Sequence, residues 1–394
     1  MARIVFFCIP AHGHTNPTLG VVRELTSRGH EVLYYSYTPF REKIEAAGAR
    51  FVPCDDFDAE LRLTAEEAAH LGSDLALSTR VLVDTTLSLD DMVCAEMQRL
   101  KPDCIVADSM AVWGKAVARK LGIPFVSSTT TFAFNRHSAR IMKQSFRELL
   151  AMLIAMPKIR KDIRRLQAKG YPVNSVLDLI QNDDMTDTIV YTSPQFQPCA
   201  ETFSDKYAFV GPSIRPAVEK VEKTREKLVY ISMGTVNNAM LSLYRNCINA
   251  LEDSPYQVIL SVGHQVDLSA FGPLPEHIAI YPTVDQIAVL EQADGFLTHC
   301  GMNSVSEALW HSVPLVMLPK TKEQEGVAAR VAQMGAGMQL EATTPAAIRA
   351  AIDTVLTVPG YRENAAAVAA GFRACSGTKG AADKIEQCCK AHPP

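Results

Sequence analysis

Short apolar runs alternate with stretches of helical periodicity along this chain, and the alternation occurs in two separate blocks. In the first block, runs such as residues 4–9 and 104–108 are each followed by a helical segment. In the second block the pattern restarts at residues 228–232. Runs that are apolar throughout are typical of strands covered on both faces, and strand-helix-strand units of this spacing form parallel sheets. The sequence therefore predicts an α/β protein with two doubly wound, Rossmann-like lobes.

The individual elements follow from these patterns. Strands are predicted at residues 4–9, 31–37, 50–53, 104–108, 124–128, 188–191, 228–232, 257–261, 278–281, 295–298 and 314–318. Helices are predicted at 17–28, after a loop at 10–15, and at 39–47, 111–121, 238–251, 287–292, 303–310 and 324–334, with helical material over 134–169. Glycines and prolines delimit several of these helices.

The two blocks define the predicted domains. The first lobe covers 1–210 and the second 228–370, and 371–394 is predicted as a helical segment that packs back on the first lobe. Residues 211–227 begin with Gly-Pro-Ser and continue as a charged stretch without apolar periodicity, which predicts a linker. Ligands of such sheets bind at the carboxyl ends of the strands, so a cleft between the lobes is the expected site.

Composition excludes several classes of protein. A chain of 394 residues, 47% of them hydrophobic, is long enough for two domains with a core in each. The formal net charge of −4 gives no bulk attraction to nucleic acid. No apolar run approaches the roughly 20 residues that span a bilayer, so no stable membrane insertion is expected. The ten cysteines include no C-x-x-C pair, and no cleavable leader is visible. These features predict a cytoplasmic protein.

The first motif is Pro-Ala-His-Gly-His-Thr-Asn-Pro at residues 10–17, directly after the first strand. Imidazole titrates near neutral pH, so His12 or His14 at a strand end is suited to general base catalysis. Either histidine could instead cap the following helix. A metal site is disfavoured because no cysteine or carboxylate cluster accompanies the pair.

The second motif is the apolar strand that ends in Asp108. This carboxylate could cap the helix predicted after it, or it could orient a histidine that lies at another strand end. The third motif is the strand, turn and helix start at 295–309. Free backbone N–H groups there, with His299, Asn303 and Ser304, would form a site for a diphosphate. Residues 232–235 form a second turn of this type.

The third motif closely resembles the donor signature of family-one glycosyltransferases. The resemblance rests on Thr-His-Cys-Gly-Met-Asn-Ser at 298–304, with Glu307 and Pro314 behind it, and extends over nearly the whole chain. Residues 10–17 look like the bacterial, macrolide-glycosyltransferase branch of this UDP-glycosyltransferase superfamily. The resemblance implies the GT-B fold, with two lobes that face each other across a cleft. It also implies an inverting, metal-independent hexosyltransferase that uses a nucleoside-diphosphate sugar.

The resemblance implies roles residue by residue. It makes His14 the general base, in preference to His12, and Asp108 its partner in a dyad. It makes Glu307 the acceptor for the ribose hydroxyls. The other donor-binding residues that it implies are Ser232, Gly234, Thr235, His299, Gly301, Asn303 and Ser304 for the diphosphate, Glu323 and Gln324 for the sugar, and Gln286 at the start of the donor signature.

The chain departs from the family pattern at two places. Thr283 and Asp285 stand where the family commonly has Trp and Pro, which affects the surface that stacks on the base. Val327 and Ala328 stand where the family has Asn and Ala after the sugar-reading pair, so this pair could sit differently.

The expected reaction moves a hexose from a UDP-sugar, with UDP-glucose first and a TDP-sugar as the alternative, to a hydroxyl of a small apolar acceptor. Phenolic, flavonoid, macrolide and sterol-like compounds all fit this description. His12, Phe132, Phe134 and Met142 are the candidate acceptor-binding residues, and no cofactor other than the co-substrate is expected. The basic run 158–165 is a solvated helix face or a contact with anionic lipid.

Three other functions stay open at this point. A membrane-associated lipid glycosyltransferase would use the same donor site, and a sugar-nucleotide epimerase would use the same fold. A non-catalytic homologue that binds a nucleotide sugar is the third. The presence of His14, Asp108 and Glu307 together favours turnover, since binding alone does not require the first two.

Overall fold

The computed structural model describes residues 1–57, 63–64, 67, 74–135, 137–138, 146–180, 182, 185–234 and 240–391, with only the backbone considered for 146–152. The chain divides into two compact units. Unit 1 comprises Met1–Tyr191, Cys199–Ser213 and Ser376–Pro394, and unit 2 comprises Thr192–Pro198 and Ile214–Cys375. Of the segment predicted as a linker, residues 211–213 therefore belong to unit 1 and 214–227 to unit 2.

Seven parallel strands form the sheet of unit 1, in the order β3-β2-β1-β4-β5-β6-β7. They are β1 (Arg3–Phe7), β2 (Glu31–Ser36), β3 (Arg50–Pro53), β4 (Cys104–Asp108), β5 (Phe125–Thr129), β6 (Asp187–Val190) and β7 (Tyr207–Phe209). The direction of strand addition reverses between β1 and β4, which pair with Phe7 opposite Ala107. In doubly wound sheets, ligands bind outside the carboxyl ends of the strands at such a reversal.

Among the described residues of unit 1, six α-helices precede the second sheet along the chain. They are α1 (His12–Ser27), α2 (Arg41–Ala46), α3 (Leu75–Leu100), α4 (Val112–Leu121), α5 (Phe146–Ala168) and α6 (Val176–Ile180). Helix α4 lies directly on β1 and β4, because Gly114 has no side chain. A Cβ atom at Gly114 would lie 2.5 Å from Cβ of Ala107 and 3.0 Å from the ring of Phe7. This close packing brings α4 against the carboxyl-terminal ends of β1 and β4.

Helix α1 begins at His12, so the loop predicted for residues 10–15 and the start predicted near Pro17 are wrong. The amides of His14 and Thr15 both donate to the carbonyl of Ala11, at 3.0 and 2.9 Å, which closes a turn before Pro17 is reached. Pro17 then lies inside the helix. Proline is favoured at the first helical position, and the sequence pattern placed it there.

Six parallel strands form the sheet of unit 2, in the order β10-β9-β8-β11-β12-β13. They are β8 (Leu228–Ser232), β9 (Gln257–Ser261), β10 (Ile278–Tyr281), β11 (Gly295–Thr298), β12 (Leu315–Met317) and β13 (Gly337–Gln339). The reversal here lies between β8 and β11, which pair with Ser232 opposite Thr298. The α/β class with two parallel sheets is therefore confirmed.

The helices of unit 2 are α7 (Leu241–Leu251), α8 (Gln286–Leu290), α9 (Met302–Trp310), α10 (Lys322–Gln333), α11 (Pro345–Thr357) and α12 (Pro359–Arg373). The last helix, α13 (Gly377–Ala391), belongs to unit 1. Its Ile385 is buried in the core of that unit, and Arg28 and His30 bond its carboxylates Asp383 and Glu386 at 2.6 and 3.0 Å. Within the described residues, every helix is too short or too polar to cross a membrane.

Candidate active site

The first cluster lies at the reversal of the unit 1 sheet. Asp108 is the last residue of β4, and His14 lies in the first turn of α1, which follows β1. Their side chains meet, with Nδ1 of His14 2.8 Å from Oδ2 of Asp108. The Asp108 side chain is fully buried, whereas 18% of the His14 side chain is exposed. A buried carboxylate on Nδ1 fixes the tautomer with the proton on Nδ1, so that Nε2 carries the lone pair.

Two further contacts orient this pair. The backbone N–H of Met110 donates to Oδ1 of Asp108 at 2.9 Å, so both carboxylate oxygens have partners. Oγ1 of Thr130, just beyond the end of β5, lies 3.1 Å from Nδ1 of His14. Asp108 is not the cap of the next helix, because α4 begins at Val112 with Ala111 as its N-cap. The helix-cap interpretation of Asp108 is therefore wrong.

The other residues predicted for the acceptor occupy different environments. His12 is exposed, and its ring packs edge-on against Phe40 at a centroid distance of 4.9 Å. Burial of part of its ring, together with the nearby Lys43, lowers the pKa of His12. Phe132 is buried, whereas Phe134 is exposed. Met142 lies outside the described residues. All four acceptor roles stay predictions.

The second cluster lies at the reversal of the unit 2 sheet and is built around His299, which follows β11. Its ring fills the space beside two glycines: a Cβ atom at Gly234 would lie 2.5 Å from Cε1, and one at Gly301 would lie 2.8 Å from Nε2. Burial lowers the pKa of His299, so the ring is neutral near pH 7. Its buried Nδ1 has no hydrogen-bond partner in the described part of the chain. A buried polar atom left unpaired costs about 1–3 kcal/mol, so a ligand that pairs with it gains that free energy.

Glu307 forms a network with the start of α8. Nε2 of Gln286 donates to Oε2 of Glu307 at 2.5 Å and to Oγ of Ser304 at 3.2 Å. Oε1 of Gln286 accepts from the hydroxyl of Tyr230 at 3.2 Å. Burial raises the pKa of Glu307, although the bond from Gln286 opposes the shift. The structure thus brings together Gln286, Ser304 and Glu307, three residues that the resemblance assigns to the donor.

The remaining donor candidates differ in how they are placed. Ser232 ends β8, and its hydroxyl accepts from the amide of Gly234 at 3.3 Å. Asn303 lies in the first turn of α9. Glu323 is exposed in the first turn of α10. Oε1 of the next residue, Gln324, accepts from the amide of Lys320 at 2.8 Å and, in a capping box, from the amide of Thr321 at 3.3 Å. These bonds occupy the side-chain oxygen of Gln324 and leave its amide nitrogen to act as a donor. Thr235 lies outside the described residues.

Three residues of these clusters escaped the sequence analysis. Thr130 contacts the catalytic candidate His14, and Tyr230 contacts Gln286. Arg215 pairs with Asp285, the residue before Gln286. Thr130 stands in a run of threonines and Tyr230 in an apolar strand, so local sequence patterns gave no signal for either. Arg215 stands beside a charged stretch, and an arginine in such a place is typical of a solvated surface.

Comparisons with known proteins show which family the chain belongs to. Residues 215–370 match the family model described as UDP-glucoronosyl and UDP-glucosyl transferase. The NDP-glycosyltransferase YjiC of Bacillus licheniformis is 32% identical over 97% of this chain and 96% of its own length. Demethyllactenocin mycarosyltransferase of Streptomyces fradiae is 30% identical over 98% of this chain and 86% of its own length.

A solved structure extends the similarity to the fold. The crystal structure of the glycotransferase of kitacinnamycin is 26% identical, with a TM-score of 0.84 over 98% of both chains. Its match covers both units and both sheets. The similarity of sequence over the full length, and of structure over both units, leads to one conclusion. The chain belongs to the UDP-glucoronosyl and UDP-glucosyl transferase family and is a glycosyltransferase of the GT-B fold.

Proposed function

We propose that this protein transfers a hexose, with inversion, from a UDP-sugar to a hydroxyl of a small apolar natural product. The contact between His14 and Asp108 is the single observation that carries the proposal, because it supplies a base for the acceptor hydroxyl. UDP-glucose is the first candidate donor, and a TDP-sugar is the alternative.

Unit 1 provides the proton chemistry. Nδ1 of His14 donates to Asp108, so Nε2 accepts the acceptor proton while the acceptor oxygen attacks the anomeric carbon. The imidazolium that forms is stabilised by the adjacent carboxylate at 2.8 Å. Thr130 bonds the same nitrogen and limits rotation of the ring. Proton transfer to a positioned base contributes roughly 10²–10⁴ to the rate.

Unit 2 provides the donor site. Glu307 accepts hydrogen bonds from the ribose hydroxyls, and Gln286 holds it in place at 2.5 Å. His299 and the amides that follow β8 and β11 donate to the diphosphate, which gains negative charge as the sugar leaves. Backbone N–H groups and a neutral imidazole serve this purpose without a metal ion, so the reaction is metal-independent.

The names of relatives support an antibiotic-like acceptor. One relative is an oleandomycin glycosyltransferase of Streptomyces antibioticus, 28% identical over 98% of this chain. Another, at 30% identity, is named for demethyllactenocin. Both names denote transfer to natural products, and an apolar, hydroxylated acceptor is the chemistry we assign to this chain.

The test is direct product analysis. Purified protein is incubated with UDP-glucose or TDP-glucose and with phenols, flavonoids, macrolides or sterols, and products are identified by mass spectrometry. A mass gain of one hexose on an acceptor, absent in His14→Ala protein, supports the proposal. Hydrolysis or epimerisation of the donor without any glycosylated product contradicts it.

A further inference from the structure

Arg215 is held at one edge by a buried carboxylate. Its guanidinium pairs with Oδ1 of Asp285, while Oδ2 of Asp285 accepts from the amides of Val218 and Glu219 at 2.6 and 3.1 Å. The Asp285 side chain is 6% exposed and that of Arg215 is 47% exposed. The carboxylate therefore fixes the position of the guanidinium while about half of the Arg215 side chain stays accessible.

This pair adjoins the residues proposed to bind the nucleoside. Asp285 precedes Gln286, whose amide holds Glu307. The positive charge of Arg215 reaches the Glu307 carboxylate and lowers its pKa, against the larger raising effect of burial. A ribose bound to Glu307 carries its base on the neighbouring carbon, so the base and the guanidinium lie in the same part of unit 2.

The base of a bound nucleotide stacks on a flat side chain, and the flat side chain of the family that this sequence resembles is absent here. Position 283, which is Trp in the family that the chain resembles, is an exposed threonine here. A threonine has no planar face. The guanidinium of arginine is planar and delocalised and stacks on aromatic rings, which lysine does not do.

We propose that the Arg215 guanidinium, fixed by Asp285, is the surface on which the pyrimidine base of the donor stacks. The inference rests on the proposed function, because it takes the ligand to be a pyrimidine nucleotide with its ribose at Glu307. Asp285 is then a positioning residue, and Arg215 a residue that contacts the substrate.

The experiment compares two ligands that differ only in the base. Binding of UMP and of ribose 5-phosphate is measured by ligand-observed NMR on the wild type, Arg215→Ala and Arg215→Lys. Stacking of one base is worth roughly a 5- to 150-fold change in affinity. Arg215→Ala should weaken UMP binding by about that factor and leave ribose 5-phosphate unchanged. Arg215→Lys should weaken UMP binding similarly, because it keeps the charge and loses the plane.

Arg362→Ala is the matched control, since Arg362 pairs with Asp294 at 3.1 Å and is 52% exposed. Its affinity for UMP should equal that of the wild type. Equal weakening of both ligands by Arg215→Ala, or full rescue of UMP binding by Arg215→Lys, would overturn base stacking. A loss of UMP binding in Tyr281→Ala protein but not in Arg215→Ala protein would also overturn base stacking on Arg215, because Tyr281 is the exposed ring at the end of β10. If the wild type itself binds neither UMP nor UDP, the donor assignment fails and the inference falls with it.

Discussion

The carboxylate of Asp108 and the imidazole of His14 lie 2.8 Å apart although 94 residues separate them in the chain. The contact exists because β1 and β4 are neighbours in the sheet, Asp108 is the last residue of β4, and His14 lies in the first turn of the helix that follows β1. The carboxylate of Asp108 is buried where it contacts the His14 ring, whereas part of the ring itself is exposed.

His14→Ala should lower kcat by roughly 10²–10⁴, the usual effect of losing a positioned base. His12→Ala is the matched control, because His12 lies two residues earlier and packs on Phe40. Its kcat should change far less. Steady-state rates of both variants, with folding checked by circular dichroism, provide the measurement. An inactive His12 variant beside an active His14 variant would reverse the assignment.

Asp108→Asn should also lower kcat, with little change in either KM. Asparagine keeps the size of the side chain but can present an N–H group to Nδ1 of His14. That would move the ring proton to Nε2, where it blocks proton abstraction. The pH profile of kcat/KM separates this effect from a loss of folding, since the pKa of the base should fall when the carboxylate charge is removed. An unchanged profile and rate would show that the contact is only structural.

Glu307→Ala should weaken donor binding by roughly 10- to 150-fold, the free energy of one hydrogen bond to a charged group. The loss should appear mainly in the KM for the donor, because contacts with ribose change little between ground and transition states. Donor titration at saturating acceptor measures it. A normal donor KM in folded Glu307→Ala protein would remove Glu307 from the site.

Asp285→Asn should destabilise the protein at neutral pH. Burial favours the protonated form of Asp285, but the bonds from Arg215, Val218 and Glu219 outweigh it and lower its pKa from 3.8 to about 2. A folded-state pKa below the unfolded value adds stability above about pH 4, and this stability is lost as the pH falls toward about 2. The shift corresponds to about 2 kcal/mol.

Urea unfolding at several pH values measures this contribution. The free energy of unfolding of Asp285→Asn should differ most from the wild type near neutral pH, and the difference should shrink on acidification. Asp91→Asn serves as the control, because the Asp91 side chain is 95% exposed. A difference that is constant with pH would assign the loss to packing instead of charge.

Activity should survive treatment with EDTA. The residues proposed to meet the diphosphate are His299 and backbone N–H groups, which are donors and compensate its charge directly. Rates before and after chelation, with a readdition of magnesium or manganese, test the point. Complete loss of activity that either ion restores would show that a metal takes part.

The sequence predicted much of the fold because strands that are covered on both faces are apolar throughout. The bounds of β4, β8, β9, β10 and β11 agree with the predicted runs residue by residue. The three-residue strands β7 and β13 were not predicted, whereas the equally short β12 was, because it lies in the longer apolar run 314–318. The long helix α3 was not predicted.

The candidate site was predictable as a set of residues but not as a geometry. Spacing along the chain could not show that Asp108 contacts His14, because the order of strands in a sheet is decided by packing between distant segments. For the same reason, the contacts of Thr130 and of Arg215 had no local signature. The capping box of Gln324 does have a local signature, because Thr321 stands three residues before it. The resemblance to the family nevertheless assigned Gln324 to the sugar.

The place of α13 has a consequence for anyone who recombines the two units. The chain belongs to unit 1 up to residue 191, to unit 2 over residues 192–198 and to unit 1 again over residues 199–213. Residues 214–375 then form the rest of unit 2, and the chain returns to unit 1 at residue 376. Unit 1 is therefore closed by a helix that follows unit 2 in the chain, and Ala381, Ala382 and Ile385 of this helix are part of its core. A chimera that grafts a foreign unit 2 onto this protein must restore α13 downstream of the graft. A single splice near residue 213 would leave unit 1 with an uncovered apolar face.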